Sequence, residues 1–176
     1  GQQSARDYNA LSYAVMDQRD YLNVSCEVNV ESVEVFFNAV DSRLTAFIDQ
    51  LILFEMGQEF EGKAFVGYAS LRFTGPTRAL IGMQRYPTTC SVEIACLKDV
   101  SGGKELIDFA VDWARNPNNG GILHWGQFNP WEREDVERIY GPGGNLTRWR
   151  EALSRPGVKP GSHAMTRRSR QIAKPS

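Results

Sequence analysis

The sequence predicts an α+β fold, and three observations lead to this prediction. Short segments alternate apolar and polar residues with the period of two that is typical of strands. Longer segments repeat apolar residues at the spacing i, i+3, i+4, i+7 that is typical of an amphipathic helix. The two kinds of segment follow one another along a chain of 176 residues, which is long enough for one domain with its own core.

The first half of the chain is predicted to contain a strand, a helix and a second strand. Residues Tyr21–Val30 alternate apolar and polar side chains, so we expect a half-buried strand there. A long helix is predicted from Ser32 to about Gly57, because apolar residues recur at helical spacing along this segment. Residues Phe65–Thr74 are predicted to form the next strand, which a Gly-Pro pair ends.

The second half repeats this alternation. Cys90–Lys98 is predicted to be a third strand, Leu106–Ala114 carries the buried stripe of a second helix, and a fourth strand is expected within Gly120–Trp131. The order strand, helix, strand, strand, helix, strand is the split βαβ, or ferredoxin-like, arrangement of an antiparallel sheet with two helices on one face. C-terminal helices are predicted over Trp131–Tyr140 and Leu146–Leu153.

The predicted domain covers residues 21–160, between a polar N-terminal arm at 1–20 and a basic tail at 161–176. The tail begins with Gly-Ser-His-Ala-Met, which resembles a tag-cleavage scar, so it is left out of the fold prediction. Removing its four basic residues from the 20 Lys and Arg leaves 16 against 21 Asp and Glu. The acidic remainder argues against non-specific binding to nucleic acid.

Several other classes of protein do not fit the sequence. No run of 18 apolar residues and no secretory signal are visible, so a membrane span is not expected. Cys26, Cys90 and Cys96 form no C-x-x-C pair, which predicts reduced thiols in a cytoplasmic protein and no structural zinc site. Neither common nucleotide-phosphate loop motif is present, and a single histidine outside the tail leaves no multi-histidine metal site.

Two positions are candidates for chemistry, and each has a structural alternative. His124 is followed by Trp125 and Gly126, and a glycine in a strand often marks a close approach by a ligand or another backbone. Both His124 and Trp125 are equally consistent with half-buried strand residues. Arg72 lies near a strand end beside Ser70, where it could stabilise negative charge or simply pair with a surface acid.

A family resemblance adds to this interpretation. The His124-Trp125-Gly126 turn, the predicted helix after it and the segment Leu146-Thr147-Arg148-Trp149-Arg150 resemble the C-terminal part of flavin oxidases of the vanillyl-alcohol oxidase superfamily. The sugar-lactone and alditol oxidase branch and its cholesterol-oxidase-like relatives are the most similar. The resemblance covers about residues 20–158 and implies a substrate (cap) domain that acts with an FAD-binding half.

The resemblance also implies site residues. It places Arg72, His124 and Gln127 at the catalytic centre, with His124, Trp125, Gly126 and Asn129 against the flavin. Two positions depart from the family pattern: Ser70 replaces the acid of an acid-x-Arg pair, and Gln127 replaces a lysine. Both departures argue against an ordinary alditol or lactone substrate.

Two functions are therefore expected. One is the substrate-binding domain of an FAD-dependent oxidoreductase that oxidises an alcohol-type substrate and is inactive without the FAD-binding half. The other is a non-enzymatic module that binds a protein or peptide, through a sheet face left exposed as an apolar and aromatic patch. The basic tail at 161–176 is a candidate for such a peptide.

His124 is expected to be semi-buried and to make contacts without transferring protons. No acid lies within the four residues before it to orient it as a base. Trp125 is expected to pack against a helix, while Gly126 leaves room for a planar group. On this hypothesis, His124→Gln preserves the fold and weakens binding by about 1–3 kcal/mol.

Overall fold

The computed structural model describes residues 30–154, and these residues contain a four-stranded sheet and four α-helices. In chain order the elements are β1 (Val30–Asn38), α1 (Ser42–Phe60), β2 (Gly67–Thr74), β3 (Thr89–Leu97), α2 (Gly103–Arg115), β4 (Ile122–Leu123), α3 (Arg133–Tyr140), a 3-10 turn (Pro142–Gly144) and α4 (Asn145–Ser154).

The sheet has the strand order β2-β3-β1-β4, and every neighbouring pair is antiparallel. With one helix between β1 and β2 and another between β3 and β4, this is the predicted ferredoxin-like α+β arrangement. The order confirms the fold class. It also makes β1 and β3 the central strands, so the residues that they contribute are the most enclosed of the sheet.

The position of the first strand differs from the prediction. The helix predicted from Ser32 is wrong over its first turns, because Val30–Asn38 forms β1. The apolar residues of this segment fit both the helical spacing and the period of two of a strand. The segment forms a strand because its nine residues pair with nine residues of β3. Of the predicted strand Tyr21–Val30, only Val30 belongs to the described residues.

Helix α1 begins later and ends later than predicted. Asp41 caps its N-terminus, since the Asp41 carboxylate accepts a hydrogen bond of 2.9 Å from the Arg43 N–H. The helix passes through Gly57, where an added Cβ would meet nothing within 4 Å, and stops at Glu61. Gly62 follows with a φ of +77°, a conformation that favours glycine and ends the helix.

The remaining predicted elements differ mainly in their lengths. The predicted buried stripe of α2 is confirmed except at Trp113, which is only partly buried. The expected strand within Gly120–Trp131 is reduced to Ile122–Leu123, and a turn follows it. Helices α3 and α4 form close to the predicted positions.

The core lies between the sheet and the two helices α1 and α2. Alternate residues of β1 and β3 fill it, and Phe37 packs on Phe47 of α1 with their ring centroids 5.0 Å apart. Cys90 and Cys96 are six residues apart and therefore lie on the same side of β3, where both are free, buried thiols. Burial raises the pKa of both thiols, as expected for unreactive core cysteines.

Candidate functional site

The side of the sheet opposite α1 and α2 carries a cluster of polar side chains, which we call the polar face. It exists because the residues that alternate with core residues must point to the other side of each strand. The pairing register places Glu34 of β1 directly opposite Glu93 of β3, and Glu93 directly opposite Ser70 of β2. The members of the polar face are Ser32, Glu34, Tyr68, Ser70, Arg72 and Glu93.

Glu93 is the most fully bonded member of the polar face, and only 7% of its surface is exposed. Its carboxylate forms an ion pair with Arg72. It accepts hydrogen bonds from Gln127 Nε2 at 2.9 Å, from the Tyr68 hydroxyl at 3.4 Å and from the Ser70 hydroxyl at 3.5 Å. Four side chains thus donate to one carboxylate, which fixes its position.

Glu34 differs from its neighbour. It is as buried as Glu93, with 5% of its surface exposed. Its carboxylate lies 3.7 Å from Arg72 Nη1, and no side chain or N–H among residues 30–154 donates a hydrogen bond to it. Two carboxylates directly opposite each other repel, so one guanidinium between them leaves one negative charge uncompensated.

The turn that follows β4 borders the polar face. His124 N–H donates to the Glu34 carbonyl at 2.9 Å, and Phe128 N–H donates to the Ser32 carbonyl at 3.0 Å. The residues between these two bonds do not pair with β1 and form the turn. This arrangement brings the Gln127 side chain across β1 to Glu93, although Gln127 and Glu93 belong to distant parts of the chain.

His124 lies at the edge of the same face. Its ring stacks on Phe36 with ring centroids 5.9 Å apart and an angle of 21° between the rings. Its Nδ1 accepts the Gly126 N–H at 3.0 Å. A Cβ at Gly126 would lie 3.1 Å from His124 Cε1, so the room beside Gly126 is taken by the histidine ring itself. His124 is partly buried, as expected, and it shares one side of the sheet with Arg72.

Trp125 and Asn129 hold the turn in place through packing and hydrogen bonds. Trp125 stacks on Tyr140, the last residue of α3, with ring centroids 5.7 Å apart, and its Nε1–H donates to the Ile81 carbonyl at 2.9 Å. It therefore packs against a helix, as predicted, although from a turn and not from a strand. Asn129 is 3% exposed; its amide donates to the His124 carbonyl and accepts the Trp131 N–H.

The two glutamates are the site residues that sequence reasoning missed. Glu34 fell inside the wrongly predicted start of the first helix, and Glu93 was one acid among many. The alternation Val33-Glu34-Val35 was a usable signal, because a charged residue between two β-branched residues suits a strand that is buried on one side. The structure also supplies Arg72 with carboxylates from β3 and β1, although position 70 is a serine.

The polar face offers a guanidinium, two carboxylates and an amide for binding small polar groups. Within residues 30–154, no group of three or more His, Cys, Asp or Glu side chains is arranged to hold a metal ion. No helix in this range is both long enough and apolar enough to cross a membrane. Comparisons with protein-family models, with curated proteins and with solved structures find no match to this chain.

Proposed function

We propose that the polar face is the substrate-binding surface of an FAD-dependent oxidoreductase that oxidises an alcohol-type substrate together with an FAD-binding half. The observation that carries this proposal is the convergence of Arg72 and Gln127 on Glu93, with His124 on the same side of the sheet. These residues come from β2 and from the turn after β4, so the fold brings together side chains that the sequence keeps apart.

The chemistry of the face suits both a flavin and an alcohol. Arg72 keeps 54% of its side chain exposed, so its guanidinium can face a group that gains negative charge. Bound FAD would accept the hydride from the alcohol carbon, and the hydroxyl proton would be released to solvent as the carbonyl forms. Gln127 would orient the alcohol through its side-chain amide, and the stacked ring of His124 would form an edge of the pocket against the flavin ring.

The proposal can be tested on the chain by nuclear magnetic resonance. We expect riboflavin, used as a ring probe up to its solubility limit, to shift the backbone amide signals of His124, Gly126 and Gln127 in a ¹⁵N-labelled sample. Arg72→Gln should weaken these shifts, because it removes the exposed cation. Arg148→Gln, an exposed arginine on α4, is the matched control and should leave them unchanged.

Absence of any shift up to saturating riboflavin would contradict the flavin role of the face. Shifts confined to other surfaces would contradict it equally.

A second candidate is a module that binds an extended peptide, and a separate surface supports it. The polar face is charged, so the expected apolar and aromatic patch is not there. Exposed apolar side chains lie instead on β2 and on α1. They are Leu71 and Phe73 on the helix side of β2, and Ile52, Leu53, Met56 and Phe60 on α1.

The edge of β2 suits an added strand. β2 is the outer strand of the described sheet, so its outward N–H and C=O groups can pair with an extended peptide. Asp49 and Glu59 of α1 are exposed and pair with no cation among residues 30–154, which favours a basic peptide. The segment 161–176 has this chemistry, with Arg167, Arg168, Arg170 and Lys174 and no acid.

The peptide role is tested by ending the chain at residue 160 and adding back a synthetic peptide of residues 161–176. We expect the peptide to shift the amide signals of Gly67–Thr74, and Phe73→Glu to abolish the effect. A scrambled peptide of the same charge is the control, and equal shifts with it would contradict specific strand addition.

A further inference from the structure

The two carboxylates of the polar face are unequally supplied with hydrogen-bond donors. Glu93 already accepts from four side chains, so its acceptor capacity is used. Glu34 receives only the longer ion pair with Arg72 at 3.7 Å. What the face lacks is therefore a positively charged donor next to Glu34.

Gln127, which donates to the neighbouring Glu93, gives an independent indication that a donor is missing. Its Nε2 donates to Glu93 at 2.9 Å, which fixes the amide so that Oε1 is its free acceptor. Gln127 Oε1 is buried and accepts no hydrogen bond in the described part of the chain. A buried acceptor without a donor costs free energy, and such a group in a native structure calls for a missing partner.

The negative charge of Glu34 and Glu93 also indicates that a cation is missing from the polar face. Two buried carboxylates face one guanidinium, and that guanidinium is half-exposed and closer to Glu93 than to Glu34. A buried carboxylate is strongly disfavoured unless a cation or several donors accompany it. An anionic ligand group would add to the excess of negative charge, whereas an ammonium group supplies both a charge and up to three donors.

We infer that Glu34 and Gln127 Oε1 form a subsite for a protonated amine, and that the substrate of the polar face is an amino alcohol. This inference rests on the proposed function for the alcohol part of the substrate and on Glu34 and Gln127 for the amine part. Glu34 is then the residue that determines specificity, and Glu93 is the residue that holds Arg72 and Gln127 in place.

The test uses two probes of nearly the same shape. Serinol carries an ammonium group where glycerol carries a hydroxyl, so their difference isolates the charge. Each is titrated into the ¹⁵N-labelled chain at low ionic strength, and the Gln127 side-chain amide signals are followed with the His124 and Phe128 backbone amides. We expect serinol to bind at least about tenfold more tightly than glycerol, as expected for a charge-assisted hydrogen bond.

Glu34→Gln is the decisive variant, because it keeps the shape of the side chain and removes its charge. It should weaken serinol binding by about tenfold or more and leave glycerol binding unchanged. Glu31→Gln is the matched control, because Glu31 lies on the same strand but alternates to the helix side. Circular dichroism and unfolding of both variants establish that they are folded to the same extent.

Three outcomes would overturn the inference. Equal affinity for serinol and glycerol would show that the charge is not recognised. Unchanged serinol binding in Glu34→Gln would place the amine elsewhere, and an equal loss in Glu31→Gln would indicate non-specific attraction. Neither probe contains a flavin, so serinol binding without riboflavin-induced shifts would retain the amine subsite and reject only the oxidoreductase role.

Discussion

The two sides of the sheet are made by the same strands and differ in almost every physical respect. On the helix side, Val33, Val35 and Ile94 are completely buried in an apolar core. On the polar face, Glu34 and Glu93 occupy the intervening positions and are nearly as buried, at 5% and 7% exposed. Burial alone therefore does not distinguish the core from the candidate site.

The difference between the sides lies in how burial is compensated. Apolar side chains gain free energy when they leave water, whereas a carboxylate loses its hydration and needs charged or polar partners. Glu93 has these partners and Glu34 has few. Glu34 is the position where the sheet is least stabilised by its own contacts, and for this reason it is the first candidate for binding.

The largest expected effect is on the helix side. Ile94→Ala should lower the free energy of unfolding by about 2–5 kcal/mol, because it leaves a cavity at a fully buried position. Denaturant unfolding measures the change. Leu53→Ala, at a residue that is 59% exposed, is the control and should change stability by less than about 0.5 kcal/mol. Similar losses in both would mean that the core does not lie where we place it.

The next effect separates the two carboxylates of the polar face. Glu93→Gln should lower the free energy of unfolding by about 1–3 kcal/mol, because Arg72, Tyr68, Ser70 and Gln127 lose a shared acceptor. Glu34→Gln removes a buried charge that has no hydrogen-bond donor of its own, so it should not lower the free energy of unfolding. Equal losses would show that Glu34 also has a structural role.

A smaller effect is expected at the edge of the polar face. His124→Gln loses the stacking on Phe36 and should lower the free energy of unfolding by about 0.5–1.5 kcal/mol. The same variant should weaken the riboflavin-induced shifts if the ring forms part of the pocket. Unfolding and titration of one sample separate the two roles, and a stability loss with unchanged titration would make His124 purely structural.

The smallest effect is expected at Asp41, which caps the N-terminus of α1 and belongs to neither side of the sheet. Arg43 holds the pKa of Asp41 at about 2, below its ordinary 3.8, through side-chain and backbone hydrogen bonds. Because the pKa is lowered in the folded state, the contribution is complete above about pH 4 and is lost as the pH falls through 2. Asp41→Ala should therefore lower the melting temperature at pH 7, and this difference should shrink between pH 4 and pH 2.

Asp41→Asn is the control for this measurement. It keeps an oxygen acceptor for the Arg43 N–H but has no group that titrates, so its stability relative to Asp41→Ala should not change between pH 4 and pH 2. A difference between Asp41→Ala and the native chain that is independent of pH would contradict the assigned cause.

The sequence by itself determined the alternation of elements and, with it, the ferredoxin-like fold class. Local periodicity suffices for this, because a strand or helix must bury one face wherever it packs. The positions of β2, β3 and α2 followed from the same signal, since a Gly-Pro pair and a Gly-Gly pair mark their limits. Arg72, His124 and Gln127 were also named from the sequence as candidates, and that interpretation remains a prediction.

Only the tertiary structure decided the start of β1 and the composition of the polar face. Residues 30–38 satisfy both a helical and a strand pattern, and long-range pairing with β3 selects the strand. That pairing places Glu34 opposite Glu93, and the turn after β4 brings Gln127 to Glu93. No local pattern contains this information, because the register joins segments about sixty residues apart and its free energy comes from contacts between them.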